Sequence, residues 1–226
     1  MTRISTKLTG RTVPDRIAYQ LVRNLWIVVL RLYCRMTIEG RDNLPTDRPF
    51  ILAPTHRSII DTPIASGVHR KRMRFMGADK WWSNKWFGKL LTALGGFPVT
   101  RGTADREALK RCIAVIEGGE PLVLFPEGER KSGAIVQPLF EGAAYIAMKT
   151  GVPIVPVGIG GSERVMPKGA KFIFPRKVHV MVGKPMYVTV VAGESSKDQR
   201  AAARQLTDDV HAELQRLFDQ AESRCR

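Results

Sequence analysis

The sequence predicts an α/β fold: a single, mostly parallel central sheet flanked by helices. Three observations predict it. Short apolar runs alternate with amphipathic stretches of about 10–15 residues, the texture of strands joined by crossover helices. The chain is 226 residues long and 44% hydrophobic, enough to bury a sizeable core in one domain. No repeat of about 20–50 residues breaks it into smaller units.

The elements follow in order. Residues 16–35 read as a helix, because Ile17, Leu21, Leu25, Val28 and Leu32 share one stripe at about 100° per residue. Arg16, Arg23, Arg31 and Arg35 gather in a band elsewhere on the wheel, and Trp26, Ile27 and Leu30 widen the apolar surface. This pattern fits a helix lying in a membrane interface with its arginines at headgroup level; a core-packed helix with a solvated basic face is the alternative. Residues 41–47 form a polar turn around Pro45. Strands are expected at 49–54, 74–76, 97–99, 122–125, 154–159 and 177–182. Helices are expected at 81–94, with Trp82, Trp86, Leu90 and Leu94 at helix spacing, and at 105–117, with Leu109, Cys112, Ile113 and Ile116 inward. A third runs over 139–149 and stops at Gly151, and a last one runs from 201 to about 222 with Leu206, Val210, Leu214 and Leu217 on one face. The organisation expected is a basic tail and amphipathic membrane-associating helix over 1–45, then an α/β domain over 46–226. Trp81, Trp82 and Trp86 read as core and surface packing, with an acyl-tunnel wall or interfacial anchor as the alternative.

Charge narrows the partners. Lys and Arg total 36 against 21 Asp and Glu, a net charge of +15. Such a field attracts nucleic acid, anionic lipid surfaces or phosphorylated substrates. The longest apolar run, 25–30, is far short of the roughly 20 residues that a bilayer span needs. The amino-terminal residues lack the unbroken apolar segment of a secretory signal. Three widely spaced cysteines without a CxxC pair argue for reduced thiols on the cytosolic side, and against a disulfide framework or a cysteine zinc site. His69, His179 and His211 show no metal spacing.

In an open α/β sheet, chemistry sits beyond the carboxyl ends of strands. After PFILAP comes Thr55-His56-Arg57-Ser58-Ile59-Ile60-Asp61. Five residues of regular helix would put His56 and Asp61 about 140° apart. Across a strand-to-helix turn they can meet, with Asp61 or Thr62 capping the helix that Pro63 opens. A carboxylate on one ring nitrogen fixes the tautomer and leaves the other nitrogen as a general base. Alone, the pattern reads first as a loop histidine beside an N-cap aspartate. After LVLF comes Pro126-Glu127-Gly128-Glu129-Arg130, where Gly128 frees the backbone for a turn and Glu127 and Arg130 can point into the same cleft. After Phe97-Pro98-Val99 comes Thr100-Arg101, a second guanidinium suited to phosphate.

Together and in this order, these blocks resemble the glycerolipid acyltransferase family, which contains the lysophosphatidate acyltransferases. THRSIID (55–61) resembles its H-x4-D block, with Ser58 matching. GGFPVTR (95–101) resembles its second block, FPEGER (125–130) its third, and the proline-bearing run 152–157 its fourth. The likeness spans about residues 48–184. The chain departs from the usual pattern at Thr55, where many members carry asparagine, and at Glu129, where threonine is usual. The resemblance implies a glycerol-3-phosphate acyltransferase-like fold, His56 as base and Asp61 as its orienting partner. It implies that Arg101 and Arg130 bind phosphate, that Glu127 and Gly128 shape the acceptor site, and that Lys80 contributes to that basic pocket. The implied donor is acyl-CoA or an acyl-carrier protein, with no cofactor or metal. The expected reaction moves a fatty acyl group onto the free hydroxyl of lysophosphatidate, giving phosphatidate, without a covalent acyl-enzyme. The absence of a GxSxG elbow agrees with direct attack.

Such an enzyme is expected as a peripheral or monotopic protein on the cytoplasmic face of the cell membrane, docked on anionic phospholipid. Another lyso-lipid or glycolipid acceptor is one alternative, and a thioesterase using water is a second. A basic nucleic-acid-binding module is the reading from a different class; the charge supports it, but no binding motif or RNP-type aromatic strand does, so no nucleic-acid partner is expected.

Overall fold

The computed structural model describes residues 10–99, 106–188 and 195–225. Its seven strands are β1 (Thr37–Glu39), β2 (Ile51–Pro54), β3 (Arg74–Ala78), β4 (Gly96–Val99), β5 (Leu122–Val123), β6 (Ile154–Gly160) and β7 (His179–Val182). They form one sheet in the order β1-β7-β6-β2-β5-β3-β4. Every pairing is parallel except β6 with β7, so five strands share a direction and the β1–β7 edge runs against them. The helices are α1 (Val13–Tyr33), α2 (Asp61–Val68), α3 (Lys85–Ala93), α4 (Arg106–Glu117), α5 (Gly142–Thr150), α6 (Ser162–Val165) and α7 (Ser196–Ser223). The predicted α/β class and its parallel sheet are the observed ones.

Strand alternation divides the core. Leu52, Val155, Val157 and Ile159 face one layer with α1 and α2, whereas Ile51, Ala53 and Ile154 face the other with α4, α5 and the first half of α7. Gly158 and Gly160 of β6 let the backbone of α7 lie directly on the strand: a Cβ at Gly158 would stand 2.3 Å from the Leu217 carbonyl carbon. The helix ends carry the expected chemistry. Thr12 and Asp15 close a capping box before α1, as Ser195 and Asp198 do before α7.

Several boundaries move. The helix expected at 81–94 begins at Lys85, because the Asn84 side chain caps it by accepting from the Trp86 and Phe87 amides. Asp79–Trp82 is instead a 3-10 turn. The division of the chain at residue 45 does not hold, since β1 lies before it and pairs with β7. Nor is α1 a detached arm. Its inward face (Tyr19, Ile27, Leu30, then Cys34) is buried in the main core, and the Tyr19 hydroxyl accepts from the Met73 amide at 3.3 Å.

The stripe that marked α1 in the sequence is the opposite one. Ile17, Leu21, Leu25, Val28 and Leu32 are 52–77% exposed. Arg23, read as a headgroup residue, turns inward and donates to the Ser66 and His69 carbonyls at 2.8 and 2.7 Å. Arg41 adds a bond to the Gly67 carbonyl at 2.7 Å, so two guanidiniums meet the carboxyl end of α2. Among the described residues, no helix is long and apolar enough to cross a membrane.

Candidate active site

The site forms where β2 hands over to α2. Thr55, fully buried, holds the loop to β6: its amide donates to the Val157 carbonyl and its hydroxyl accepts from the Ile159 amide, both at 3.0 Å. The loop then folds back on Asp61, the first residue of α2. One carboxylate oxygen, Oδ2, accepts from the amides of Arg57 and Ser58, each at 2.6 Å, and lies 3.1 Å from His56 Nδ1. Asp61 therefore does not cap α2 with its side chain; it closes the preceding turn. The Ser58 hydroxyl donates to the Met166 carbonyl at 2.8 Å and ties this turn to the end of α6.

The imidazole of His56 is held at Nδ1 and over one face, and the residue's backbone is anchored as well. Its ring stacks on Phe125 with centroids 3.9 Å apart and planes 21° apart. Its amide donates to Glu127 Oε1 at 3.2 Å, and its carbonyl accepts from the Lys131 amide at 2.9 Å. With a carboxylate at Nδ1, the neutral ring carries its proton there, and Nε2 keeps its lone pair.

Glu127 departs from its expected place. It is 1% exposed and does not line the cleft. Its two oxygens accept from Arg57 Nη1 at 2.7 and 2.9 Å, and Oε2 also accepts from the Gln137 amide at 3.0 Å. Arg57 spends its remaining donors on the carbonyls of Gly133 and Ile135, at 3.1 and 3.2 Å, and lies over the Phe218 ring of α7 at 4.9 Å. With its oxygens taken up by the Arg57 guanidinium and the His56 and Gln137 amides, Glu127 serves the loop rather than the acceptor. It clamps the His56 loop to the 126–137 loop. Sequence reading passed over Arg57. The usable signal was a charged side chain inside a turn closed by buried neighbours, facing an acid in the adjacent strand-end loop.

The open side of His56 faces a cavity of about 360 Å³. Lys80, Gly128 and Arg130 line it with His56, so three of the predicted substrate residues converge there. Arg101 lies outside the described residues. Gly128 has φ +75°, a conformation that favours glycine, and its Cα packs under the exposed Phe140 ring, where a Cβ would stand 2.5 Å away unless the ring moved. The cavity walls include Phe75, Met76, Trp81, Trp82, Phe87 and Leu91. Trp81 and Trp82, expected as packing, are thus cavity wall. The Trp82 indole seats against Gly77, Gly88 and Gly96 and donates to the Thr92 hydroxyl at 3.0 Å. Cations beside the histidine and aromatic walls behind suit a ligand with an anionic head and an apolar tail. Among the described residues, no group of three His, Cys, Asp or Glu side chains could hold a metal ion.

The clamp makes a measurable claim. Arg57→Ala leaves Glu127 buried and unpaired and is expected to lower the unfolding free energy by about 3–5 kcal/mol. Arg57→Lys is expected to recover only part of this, because an ammonium cannot reproduce the guanidinium fork. Urea denaturation followed by circular dichroism measures both; a midpoint unchanged in Arg57→Ala contradicts the clamp.

Comparison with known proteins identifies the family and the fold. The family model described as Acyltransferase matches residues 35–160. The chain is 29% identical over 204 residues to the 1-acyl-sn-glycerol-3-phosphate acyltransferase of Bacillus subtilis (strain 168), spanning 89% of this chain and 99% of that one. It is 30% identical over 176 residues to the chloroplastic 1-acyl-sn-glycerol-3-phosphate acyltransferase BAT2 of Brassica napus, covering 75% of this chain but only half of that relative's length. The crystal structure of the 1-acyl-sn-glycerophosphate (LPA) acyltransferase PlsC from Thermotoga maritima superposes with a TM-score of 0.71, covering 92% of this chain and 84% of that one. Its 24% identity speaks for the fold. The matched span holds both loops that carry His56, Asp61 and Glu127, and the chain belongs to the acyltransferase family.

Proposed function

We propose that this protein acylates the free hydroxyl of lysophosphatidate, taking the acyl group from acyl-CoA or an acyl-carrier protein and releasing phosphatidate. The observation that carries the reading is the 3.1 Å contact of His56 Nδ1 with Asp61 Oδ2 beside a cavity that pairs cations with aromatic walls. The names of the relatives supply the acceptor.

His56 Nε2 takes the proton of the acceptor hydroxyl as its oxygen attacks the thioester carbonyl carbon. The resulting oxyanion collapses, the carbon–sulfur bond breaks, and the imidazolium proton goes to the departing thiolate. Asp61 holds the ring in the required tautomer and stabilises the transient imidazolium. Arg101 and Arg130 take the acceptor phosphate, with Lys80 adding positive charge. Gly128 keeps the loop open for the headgroup, and Glu127 contributes by holding that loop. The acceptor itself is the nucleophile, so no acyl-enzyme, cofactor or metal enters the scheme.

The exposed α1 stripe supports a membrane dock. Each of its side chains gains about 1.5–3 kcal/mol when fully removed from water. Basic residues near an anionic surface add about 1 kcal/mol each. The protein then works as a peripheral or monotopic enzyme on the cytoplasmic membrane face, where acceptor and product reside.

Two outcomes test the reading. His56→Ala is expected to lower thioester-dependent phosphatidate formation about 10²–10⁴-fold with the fold and vesicle binding intact; turnover within a few-fold of the parent removes His56 as the base. Arg101→Ala and Arg130→Ala are each expected to raise the KM for lysophosphatidate more than that for the acyl thioester. Mass spectrometry of products over a panel of acceptors and donors reads both variants, and an unchanged acceptor KM in both moves the phosphate elsewhere. Thiol release at full rate without any acceptor would favour the thioesterase reading.

A further inference from the structure

Toward the β1–β7 edge of the sheet lies a second hollow of about 780 Å³, lined by Arg35, Arg164, Phe174, Arg176 and Lys177, with Pro167 and Cys225 completing the wall. It sits beyond the carboxyl end of β6, next to the segment that enters β7. Its charge is lopsided. The acid beside it, Glu222, is already committed to Arg164 at 2.7 Å and to the Gly161 amide at 2.6 Å. Arg35, Arg176 and Lys177 have no carboxylate partner among the described residues. Arg35 occupies φ +48° just past α1, the left-handed post-helix position that glycine usually fills. The chain thus accepts backbone strain while setting a guanidinium at the hollow.

The rim identifies the occupant. The Tyr33 hydroxyl donates to the Ile173 carbonyl at 3.3 Å, joining the end of α1 to the 172–174 segment. Leu32 and Phe172 are 77% and 76% exposed, and Phe174 is half exposed while also lining the hollow. Apolar side chains that want hydrocarbon therefore border cations that want phosphate. That is the layering of a lipid surface, and a nucleic acid would leave the apolar rim in water.

We propose that Arg35, Arg176 and Lys177, with Arg164, form an anion site separate from the catalytic cavity that receives the phosphate headgroup of an anionic phospholipid while the α1 face rests in the bilayer. The proposal builds on the membrane dock above. The test is flotation of the full-length chain with phosphatidylcholine vesicles, with or without phosphatidylglycerol, at physiological salt. Arg176→Ala/Lys177→Ala is expected to lower partitioning onto the anionic vesicles at least tenfold and to leave the neutral vesicles unchanged. Arg200→Ala/Arg204→Ala, the same charge loss on the far layer, is expected to change it less than twofold. Activity on detergent-dispersed substrate should be unaltered in both. Equal losses in the two variants mean diffuse attraction and overturn the site. Equal parent binding to both vesicle types overturns the site while the dock stands. No parent binding to either removes dock and site together. Retention on duplex DNA that depends on Arg176 and Lys177, with vesicle binding indifferent to them, assigns the hollow to nucleic acid instead.

Discussion

A single carboxylate oxygen organises the active end of this fold. Asp61 Oδ2 gathers two backbone amides and one imidazole nitrogen. The two amide bonds bend the chain between β2 and α2 back on itself, and that bend brings His56 within reach of a residue five positions on. An unpaired carboxylate at full burial would be prohibitively expensive. Here three contacts at Oδ2 offset part of that cost and determine the loop shape, while Oδ1 is buried without a hydrogen-bond partner. The geometry that orients the His56 ring is thus the same geometry that shapes the loop.

A buried charge pair fixes this loop against its neighbour. Arg57 and Glu127 face each other with side chains 1% and 0% exposed, and their remaining polar atoms are met by backbone groups on both loops and by the Phe218 ring. A pair of this kind contributes little net stability compared with a well-packed apolar alternative, but it is costly to break. Its value lies in register. It sets Phe125 under the imidazole and leaves Gly128 and Arg130 facing the cavity, so the position of the 126–137 loop and that of His56 are linked through one guanidinium.

Much of this was legible in the sequence. Apolar runs marked the strands, and strand ends marked the loops worth reading, since chemistry in a parallel sheet collects there. The His56–Asp61 approach followed from the turn that Thr62-Pro63 announced. Three kinds of feature were not legible. The three-residue strand β1 carries too little pattern to register. Glu127 has the same residue type whether it meets a ligand or an arginine, and only the buried partner tells them apart. The stripe on α1 predicted a helix and an apolar face, but which face enters the core depends on tertiary contacts at Tyr19, Ile27 and Leu30. Arg23 shows the same limit, for its role comes from the carboxyl end of α2, more than forty residues away in sequence.

The account rests on which ring nitrogen of His56 carries the proton. Nitrogen-15 NMR of the histidine-labelled protein, at a pH where the ring is neutral, reads this directly. The predicted spectrum has a protonated Nδ1 hydrogen-bonded to Asp61 and an unprotonated Nε2, with that preference weakened or reversed in Asp61→Asn. A neutral ring protonated at Nε2 in the parent, unchanged in Asp61→Asn, would contradict the assignment of His56 as a base oriented by Asp61.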